Sequence, residues 1–447
     1  MATNRTFQGP KGTRDFYPPE MAIRRHIERV WHSASVDSGF EEIEGPMFES
    51  LELYTVKSGP EIVSQLFSFR REGGEDDYAL RPEFTPTLAR MAAVKGKSLA
   101  LPTKWYSIPA LFRAERPQRG RLREHNQWNV DLIGTTGASA DIEVISTALL
   151  ALERFGLTNE DVQLRLSHRG LVARILETLG VAEDRLVDAF QLLDRRDKME
   201  DADFKEKAAS LGLDDEGVAR FDAAARSTAR LSEPLSTLAE ALGVPETALE
   251  DLAELREGLL AADLADWCVL DIGIVRGLAY YTGMVFEIFA TQGVERAVLG
   301  GGRYDQLIEI FGGPKLPACG FGMGDVVLGL VLAEKGLLGE DGGVSLLPRP
   351  DAFVVSTCDE ADAGVEALMV TLRRAGLHAR RSYKSTRNVG KLLSDAGKCG
   401  ARTAVILDQA VLEGTVGLKD LDGGEQVTTS LDQLADAIAL LTGKQGA

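Results

Sequence analysis

The chain has 447 residues and a formal net charge of −18. Since domains typically run to roughly 100–200 residues, this length predicts about three domains. Hydrophobic residues make up 44% and charged residues 26% of the sequence, which is ordinary for a globular protein and excludes disordered and fibrous classes. The acidic balance argues against non-specific nucleic-acid binding by the whole surface, but it leaves room for a local basic patch.

Membrane and metal signals are missing from the sequence. It contains no run of about 18 apolar residues, the length that a membrane-spanning helix needs. The amino-terminal segment lacks the apolar core of a signal peptide, so we expect a cytoplasmic protein with no membrane partner. The four cysteines show no CxxC pairing and the five histidines no HExxH spacing, so no protein motif predicts a metal site.

The amino-terminal part of the chain mixes helical and strand patterns. The segment "PPEMAIRRHIERVWHSASVDSGF" has apolar residues near helical spacing and ends at Gly39, which predicts a helix. The following "FEEIEGPMFE" predicts a strand that leads into Pro46.

Residues 112–131 read "FRAERPQRGRLREHNQWNVD" and hold five arginines within eleven positions. From Arg121 to Asp131 polar residues alternate with largely apolar ones, which predicts a strand with one polar face. The preceding "KWYSIPALFRAE" is also strand-like, and "RPQRG" suits a turn between the two. Together, the two strands and the turn predict a hairpin. Its polar face carries Arg113, Glu115, Arg123, His125, Gln127 and Asp131. A merely solvated face would give the same alternation.

The rest of the chain predicts a divided domain and a separate carboxy-terminal one. Residues 169–262 are rich in Ala, Leu, Glu and Asp at helical spacing, which indicates a helical insertion. Strand-like segments then return, so residues 1–168 and 263–336 are expected to form one interrupted domain. A linker is predicted over residues 337–350, and residues 351–447 alternate strands and helices as in a small α/β domain.

Familiar nucleotide and nucleophile signatures are absent from the sequence. "GFGMGD" fails the GxGxxG spacing, no Walker-type GxxxxGK[ST] occurs, and no GxSxG or Cys/His arrangement predicts a covalent nucleophile. "GGGRYD" places three glycines at an expected strand-to-helix turn, where tight packing is the usual reason. The arginine hairpin remains, and arginine suits phosphate because it offers bidentate donors and keeps its charge. In phosphoryl or nucleotidyl transfer the protein mainly positions reactants and stabilises developing charge.

Five blocks in order resemble the histidyl-tRNA synthetases, a family of class II aminoacyl-tRNA synthetases. They are "KGTRDFYP", "LRPEFTPTLARM", "FRAERPQRGRLREHNQWNVD" (motif 2), "RGLAYYTGMVFE" (the histidine-specific block) and "GGGRYDQLIEIFGG" with "GFGMGD", the approach to motif 3. The resemblance covers most of the chain. It implies a mixed α/β (α+β) fold, in which an antiparallel-sheet catalytic domain with a helical insertion is followed by an α/β anticodon-binding domain.

The resemblance also implies an activity and the residues that carry it. The activity is formation of histidyl-adenylate from ATP and L-histidine, with Mg²⁺, followed by transfer of histidine to the 3′ end of tRNA(His). Arg113 and Arg276 are the implied catalytic residues at the α-phosphate. The implied ATP-binding residues are Arg113, Glu115, Arg121 and His125. The implied histidine-binding residues are Glu83, Thr85, Gln127, Asp131, Arg276, Tyr280 and Tyr281.

Two groups of polar, mostly cationic residues are candidates for contact with tRNA. One lies in the hairpin turn and its flank: Arg116, Gln118, Arg119 and Arg123. The other belongs to the basic stretch 373–402, which has one acid, Asp395, and which is either a solvated surface or a face for the anticodon arm: Arg380, Arg381, Lys384 and Arg387. Pro46 resembles the proline of motif 1, which lies at the dimer interface in the family, so a homodimer is expected.

Four positions depart from the usual family pattern. Asp131 stands where a glutamate is commoner, and Ala279 replaces an aspartate. His125 replaces a phenylalanine that stacks on adenine, and Val327 falls where motif 3 supplies an ATP-binding arginine. The favoured interpretation is an active ligase. The alternatives are a non-catalytic paralogue acting as a regulatory subunit, as in ATP phosphoribosyltransferase, and an unrelated RNA-binding protein.

Overall fold

The computed structural model describes residues 7–58, 60–196, 199–275, 281–294, 296–339 and 341–444. The chain divides into two compact units, Met1–Ser345 and Leu346–Ala447. Among the helices in these ranges, none has the length and apolar character required to span a membrane.

The first unit combines a large sheet, a small sheet and helices. Its strands are β1 (Glu41–Glu42), β2 (Phe48–Ser50), β3 (Ser68–Arg70), β4 (Asp77–Leu80), β5 (Thr103–Ser107), β6 (Ala110–Phe112), β7 (Glu124–Ile133), β8 (Val162–His168), β9 (Thr228–Arg230), β10 (Cys268–Asp271), β11 (Met284–Ala290), β12 (Ala297–Arg303) and β13 (Ala318–Gly324). Its α-helices are α1 (Pro18–Asp37), α2 (Leu51–Ser58), α3 (Thr85–Lys95), α4 (Ala138–Arg154), α5 (Arg169–Thr178), α6 (Leu186–Asp194), α7 (Asp201–Ala209), α8 (Asp215–Arg226), α9 (Leu235–Leu242), α10 (Glu250–Ala261), α11 (Leu307–Ile310) and α12 (Asp325–Glu334).

Within the described residues the large sheet has the strand order β1-β5-β7-β13-β12-β11-β8-β10-β9, and β6 pairs with β7. Its pairs are antiparallel except β1 with β5 and β10 with β8. Helices α5 to α10 lie in the chain between β8 and β10, which pair directly with each other. The chain between β8 and β10 is therefore mainly helical, apart from the short strand β9, which pairs with β10.

Helix α1 covers the sheet beneath the central strands. It begins with Pro18, whose fixed φ and missing N–H suit the first helical turn, and it buries Ile27, Trp31 and Ala34 at helical spacing. The Trp31 ring stacks on Trp128 of β7, with centroids 6.0 Å apart, and Trp128 Nε1 donates to Ser35 Oγ at 2.9 Å. This core fixes the apolar face of β7, so the opposite face is left for polar side chains.

The strand predicted from "FEEIEGPMFE" forms only in part. β1 holds two residues of the large sheet, and β2 belongs to a separate sheet of order β2-β4-β3. Pro46 stands between them, and a proline has no N–H to donate to a strand ladder. The chain therefore changes sheets at this point.

The second unit is an α/β domain. Its strands are β14 (Ala352–Ser356), β15 (Ala379–Arg381), β16 (Thr403–Leu407), β17 (Thr415–Asp420) and β18 (Gln426–Ser430), and its helices are α13 (Asp359–Arg374), α14 (Val389–Lys398) and α15 (Leu434–Thr442). The sheet order is β15-β14-β16-β17-β18. The alternating strand and helix pattern was predicted from the sequence, whereas β15, β18 and α15 were not.

Candidate active site

The predicted hairpin is confirmed by the pairing of β6 with β7. Leu111 lies opposite His125, and the Arg113 N–H donates to the Arg123 carbonyl at 2.9 Å. At the tip, the Gln118 and Arg121 backbones form a bridge with bonds of 3.0 and 2.9 Å. The arginine-rich segment is therefore one continuous structural element that runs from the tip into the centre of the sheet.

A floor of glycines lies on the polar face beside this hairpin. Gly320 lies opposite Asp131 and Gly324 opposite Gln127, while Gly302 on β12 lies opposite Gly320. In "GFGMG", Gly320, Gly322 and Gly324 thus occupy the positions on the polar face, where they present bare backbone. The intervening Phe321 and Met323 are buried in the core, as strand alternation requires.

The space above this floor is taken by the side chains of neighbouring strands. A methyl group on Gly322 would lie 2.7 Å from Cδ of Gln127, and one on Gly302 would lie 2.9 Å from the Tyr281 ring. A methyl group on Gly320 would overlap the Asp131 carboxylate. Gly300–Gly302 lie inside β12, so the expectation of a strand-to-helix turn at this point is wrong.

The polar face of β7 together with the glycine floor is called the groove, and Asp131 is a buried carboxylic acid at its inner end. Only 4% of the residue is exposed, and Tyr304, which is also buried, donates its hydroxyl to the Asp131 carboxylate. Burial raises the pKa of Asp131 to about 7, against the opposing effect of the Tyr304 hydrogen bond. The carboxyl group can therefore accept or donate a hydrogen bond near neutral pH.

His125 lies nearer the hairpin tip and remains neutral. Burial, together with the nearby positive charges of Arg113 and Arg14, lowers the pKa of His125 to about 3. Arg14 donates to the buried Asp325 carboxylate at 2.7 Å, and Asp325 also accepts the Asn126 N–H at 3.0 Å. This contact joins the amino-terminal segment to the first residue of α12.

The remaining arginines of the hairpin have different partners. Arg121 Nη1 lies 2.9 Å from Glu115 Oε2. Arg123 donates to the backbone carbonyls of Glu115 and Lys11, at 3.2 and 3.4 Å, so it ties down the amino-terminal segment. Arg119 forms an exposed ion pair with Glu334 of α12 at 2.5 Å.

Other predicted residues lie around the same groove. Arg113 Nε donates to the Pro82 carbonyl at 3.0 Å, which places it beside Glu83. Thr85 begins helix α3 directly after this segment. Tyr281 is half-buried, and its carbonyl accepts from Arg169 at 2.9 Å. Arg276, Ala279 and Tyr280 lie outside the described residues, so their assignments stay predictions.

The candidate tRNA-binding residues differ in their exposure and in their ion pairs. Arg116 and Gln118 are exposed at the hairpin tip. In the second unit, Arg381 pairs with Glu366, Lys384 with Asp395, and Arg387 with Asp359 and Asp362. Arg380 is exposed. Contact of these residues with tRNA stays a prediction.

Val327 supplies no charge to the groove. It lies in the first turn of α12, is 8% exposed, and packs in the main hydrophobic core. The surroundings of Val327 are therefore apolar, and this position provides no cation for phosphate, as its sequence indicated.

Sequence reasoning missed Tyr304 and the glycine floor. The floor had a usable signal, because glycines at positions 320, 322 and 324 repeat with the period of a strand. Tyr304 had none, since it is 173 positions from Asp131 and the two meet only through the pairing of β7, β13 and β12.

Comparison with known proteins identifies the family. Residues 12–324 match the family model described as histidyl-tRNA synthetase, and residues 351–440 match the one described as anticodon binding domain. The histidine–tRNA ligase of Opitutus terrae is 41% identical over 419 residues, which cover 93% of this chain and 94% of that protein. The chain belongs to the histidyl-tRNA synthetase family.

Two further relatives extend the comparison. The histidine–tRNA ligase of Halobacterium salinarum is 38% identical over 426 residues, 94% of this chain and 95% of its own. A crystal structure of histidyl-tRNA synthetase from a strain of Nostoc has a TM-score of 0.78 and 24% identity, covering 98% of this chain and all of that one. The mixed α/β fold with its antiparallel-rich sheet is thus the fold of histidyl-tRNA synthetases.

Proposed function

We propose that this member of the histidyl-tRNA synthetase family is an active histidine–tRNA ligase. It activates L-histidine with ATP and transfers the histidyl group to the 3′ end of tRNA(His). Near-complete coverage of the curated ligases supports this function. The single structural observation that carries it is the buried Asp131–Tyr304 pair at the inner end of a glycine-floored groove, since a buried polar pair selects ligands that hydrogen-bond to it.

Activation needs no covalent enzyme intermediate. A carboxylate oxygen of histidine attacks the α-phosphorus of ATP, an O–P bond forms, and the bond to the β-phosphate breaks as pyrophosphate leaves. Because the attacking group is already an anion, no general base is required. The protein's task is to position both substrates and to offset negative charge on the α-phosphate, the role proposed for Arg113 and Arg276.

The inner end of the groove is proposed to bind histidine. Asp131 and Tyr281, with Tyr280, hydrogen-bond to the two imidazole nitrogens, and Glu83, Thr85 and Gln127 hold the α-ammonium group. Asp131 is one methylene shorter than the commoner glutamate. The Tyr304 hydroxyl fixes the orientation of its carboxylate, and the missing side chain of Gly320 leaves the room that this carboxylate occupies.

The outer end of the groove is proposed to bind ATP. His125 stacks on adenine as a neutral ring, consistent with its lowered pKa. Glu115 accepts from the adenine amino group, and Arg121 contacts the triphosphate. Since Glu115 and Arg121 pair with each other at 2.9 Å, ATP binding exchanges this pair for contacts to the nucleotide.

Mg²⁺ is expected to accompany ATP. In phosphoryl-transfer sites this ion is held mainly by substrate phosphates with one or two carboxylates. Across the residues that the structure describes, no group of three or more His, Cys, Asp or Glu side chains is arranged to hold a metal ion. No catalytic step is therefore assigned to a metal held by the protein.

For tRNA binding, we propose a division of labour along the chain. Residues 1–168 and 263–336 form the catalytic domain, 169–262 the insertion, 337–350 a linker and 351–447 the anticodon-binding domain. The candidates at the hairpin tip are Arg116, Gln118, Arg119 and Arg123. The candidates for the anticodon arm are Arg380, Arg381, Lys384 and Arg387, and among them Arg380, Lys384 and Arg387 are exposed.

A homodimer is proposed through the small sheet β2-β4-β3. Phe48 and Phe69 are 48% and 44% exposed, and both rings lie against Tyr78, with centroids 5.6 and 5.8 Å away. An exposed cluster of apolar rings marks an interaction surface. It lies next to Pro46, the position that resembles the motif 1 proline.

The deciding experiment is histidine-dependent exchange of pyrophosphate into ATP by the full chain, followed by charging of tRNA(His). We expect both activities, and a loss of about 100-fold or more in exchange for Arg113→Ala. An intact protein that binds histidine but gives no exchange would instead match the regulatory paralogue. Exchange that survives Arg113→Ala unchanged would overturn the assignment of that residue.

A further inference from the structure

Three segments meet beside the tip of the β6–β7 hairpin. Gly120, with φ of +75°, is packed so closely that a methyl group on it would lie 2.9 Å from Cδ of Arg296 and 3.5 Å from Cγ2 of Val327. Arg296 directly precedes β12, and Val327 lies in the first turn of α12. The Arg296 side chain therefore crosses the hairpin tip at the place where Val327 presents no charge.

Arg296 differs from the neighbouring arginines in its partners. Arg121 and Arg119 have carboxylate partners, and Arg123 donates to backbone carbonyls. Arg296 is half-buried, yet it forms no ion pair or hydrogen bond with any residue in the described parts of the chain. A half-buried guanidinium without an anionic partner is costly to keep, because burial removes part of its hydration.

The surroundings of Arg296 point to a phosphate partner. Arg121, proposed to contact the triphosphate, directly follows Gly120 at the hairpin tip, and Glu115 lies 2.9 Å from Arg121. With glycine at position 120, the Arg296 side chain lies directly against the turn backbone, where Cδ and Nε of Arg296 are 2.9 and 3.6 Å from the place of a methyl group. Its planar fork can donate two parallel hydrogen bonds to phosphate oxygens.

We propose that Arg296 binds the β- and γ-phosphates of ATP and supplies the positive charge that Val327 does not. This inference rests on the proposed function, because it assigns a ligand within the same groove. It identifies a substrate-binding residue that lies outside the five blocks on which the family resemblance was based. The charge comes from the strand β12 side of the hairpin instead of from helix α12.

The test compares Arg296→Gln with the wild-type full chain in ATP–pyrophosphate exchange. Glutamine keeps most of the side-chain contact with Gly120 but removes the charge. We expect the KM for ATP to rise about 10- to 100-fold, as for the loss of one charge-assisted phosphate contact. The KM for histidine should change less than about twofold. Arg220→Gln, at an exposed arginine of the helical insertion, is the matched control and should change neither constant.

Product inhibition locates the contact on the nucleotide. If Arg296 binds the β- and γ-phosphates, Arg296→Gln raises the inhibition constant of pyrophosphate by the same factor as the KM for ATP. The inhibition constant of AMP is unchanged. Equal losses for AMP, histidine and ATP would show a general defect of the fold and overturn the inference. Unchanged constants for ATP and pyrophosphate would overturn it as well. A wild-type chain without exchange would instead refute the proposed function.

Discussion

The two ends of the groove hold their charged groups in different ways. At the inner end, Asp131 is buried and receives a hydrogen bond from the buried Tyr304. At the outer end, the side chains of the Arg119–Glu334 pair are 69% and 35% exposed, and that of Arg121 is 38% exposed. One end is fixed within the sheet, whereas the other is a turn held by ion pairs at the surface.

This difference matches what each end has to recognise. A buried polar pair is costly when left unsatisfied, so the inner end can reject ligands that lack the imidazole's two hydrogen-bonding nitrogens. Exposed ion pairs contribute only about 0–1 kcal/mol each. The outer end can therefore exchange its internal pairs for phosphate and RNA at little cost in stability.

The largest effect is expected from Gly320→Ala at the inner end. The new methyl group would lie 2.5 Å from the Val130 carbonyl oxygen and 2.8 Å from Cγ of Asp131, so β7 and β13 must shift apart. We expect kcat/KM for histidine to fall about 100-fold or more. Gly329→Ala in α12, where a methyl group meets nothing within 4 Å, should leave it unchanged. Similar values of kcat/KM for histidine in both variants would contradict the close packing of the glycine floor at Gly320.

Tyr304→Phe should have the next largest effect. It removes the hydrogen bond to the buried Asp131 carboxylate without leaving a large cavity. We expect a loss of about 10-fold in kcat/KM for histidine and of about 1–3 kcal/mol in the free energy of unfolding. The KM for ATP should stay within about twofold, since His125 and Arg113 are not in this hydrogen bond. An equal rise in both KM values would argue for a purely structural role of Tyr304.

The pH dependence of stability should identify Asp131 as a raised carboxyl group. Its pKa is about 7 in the folded state, against about 3.9 for a free aspartate, so the folded state keeps a proton that the unfolded chain loses. The contribution of this group to the free energy of unfolding is thus fully present below about pH 4 and is lost as the pH rises through about 7. Relative to wild type, Asp131→Asn should gain about 3 kcal/mol in the free energy of unfolding between pH 5 and pH 8, measured by denaturant unfolding at each pH. A constant difference would contradict the raised pKa.

Breaking the Arg119–Glu334 pair should have the smallest effect. Because both side chains are partly exposed, Glu334→Gln should change the free energy of unfolding by less than about 1 kcal/mol, and less still at high salt. Exchange without tRNA should change less than about threefold. A loss comparable to that of Tyr304→Phe would show that the outer end is as rigid as the inner one.

Several features of the site followed from the sequence because they are local. The alternation from Arg121 to Asp131 predicted the strand and its polar face, since neighbouring residues alone set that period. The same reasoning predicted the turn at "RPQRG" and the helix that ends near Gly39, which the structure confirms as the bridge at Gln118 and as α1. The motif order predicted the family, which the comparisons confirm.

Tertiary structure decided the contacts that depend on strand order and register. Tyr304 meets Asp131, and Gly302 aligns with Gly320, because β13 lies between β7 and β12. Arg296 and Val327 meet at Gly120 for the same kind of reason. Local periodicity records which face a residue occupies, but not which distant strand will lie beside it. That choice is made by packing of the whole core, so only the folded chain reveals these partners.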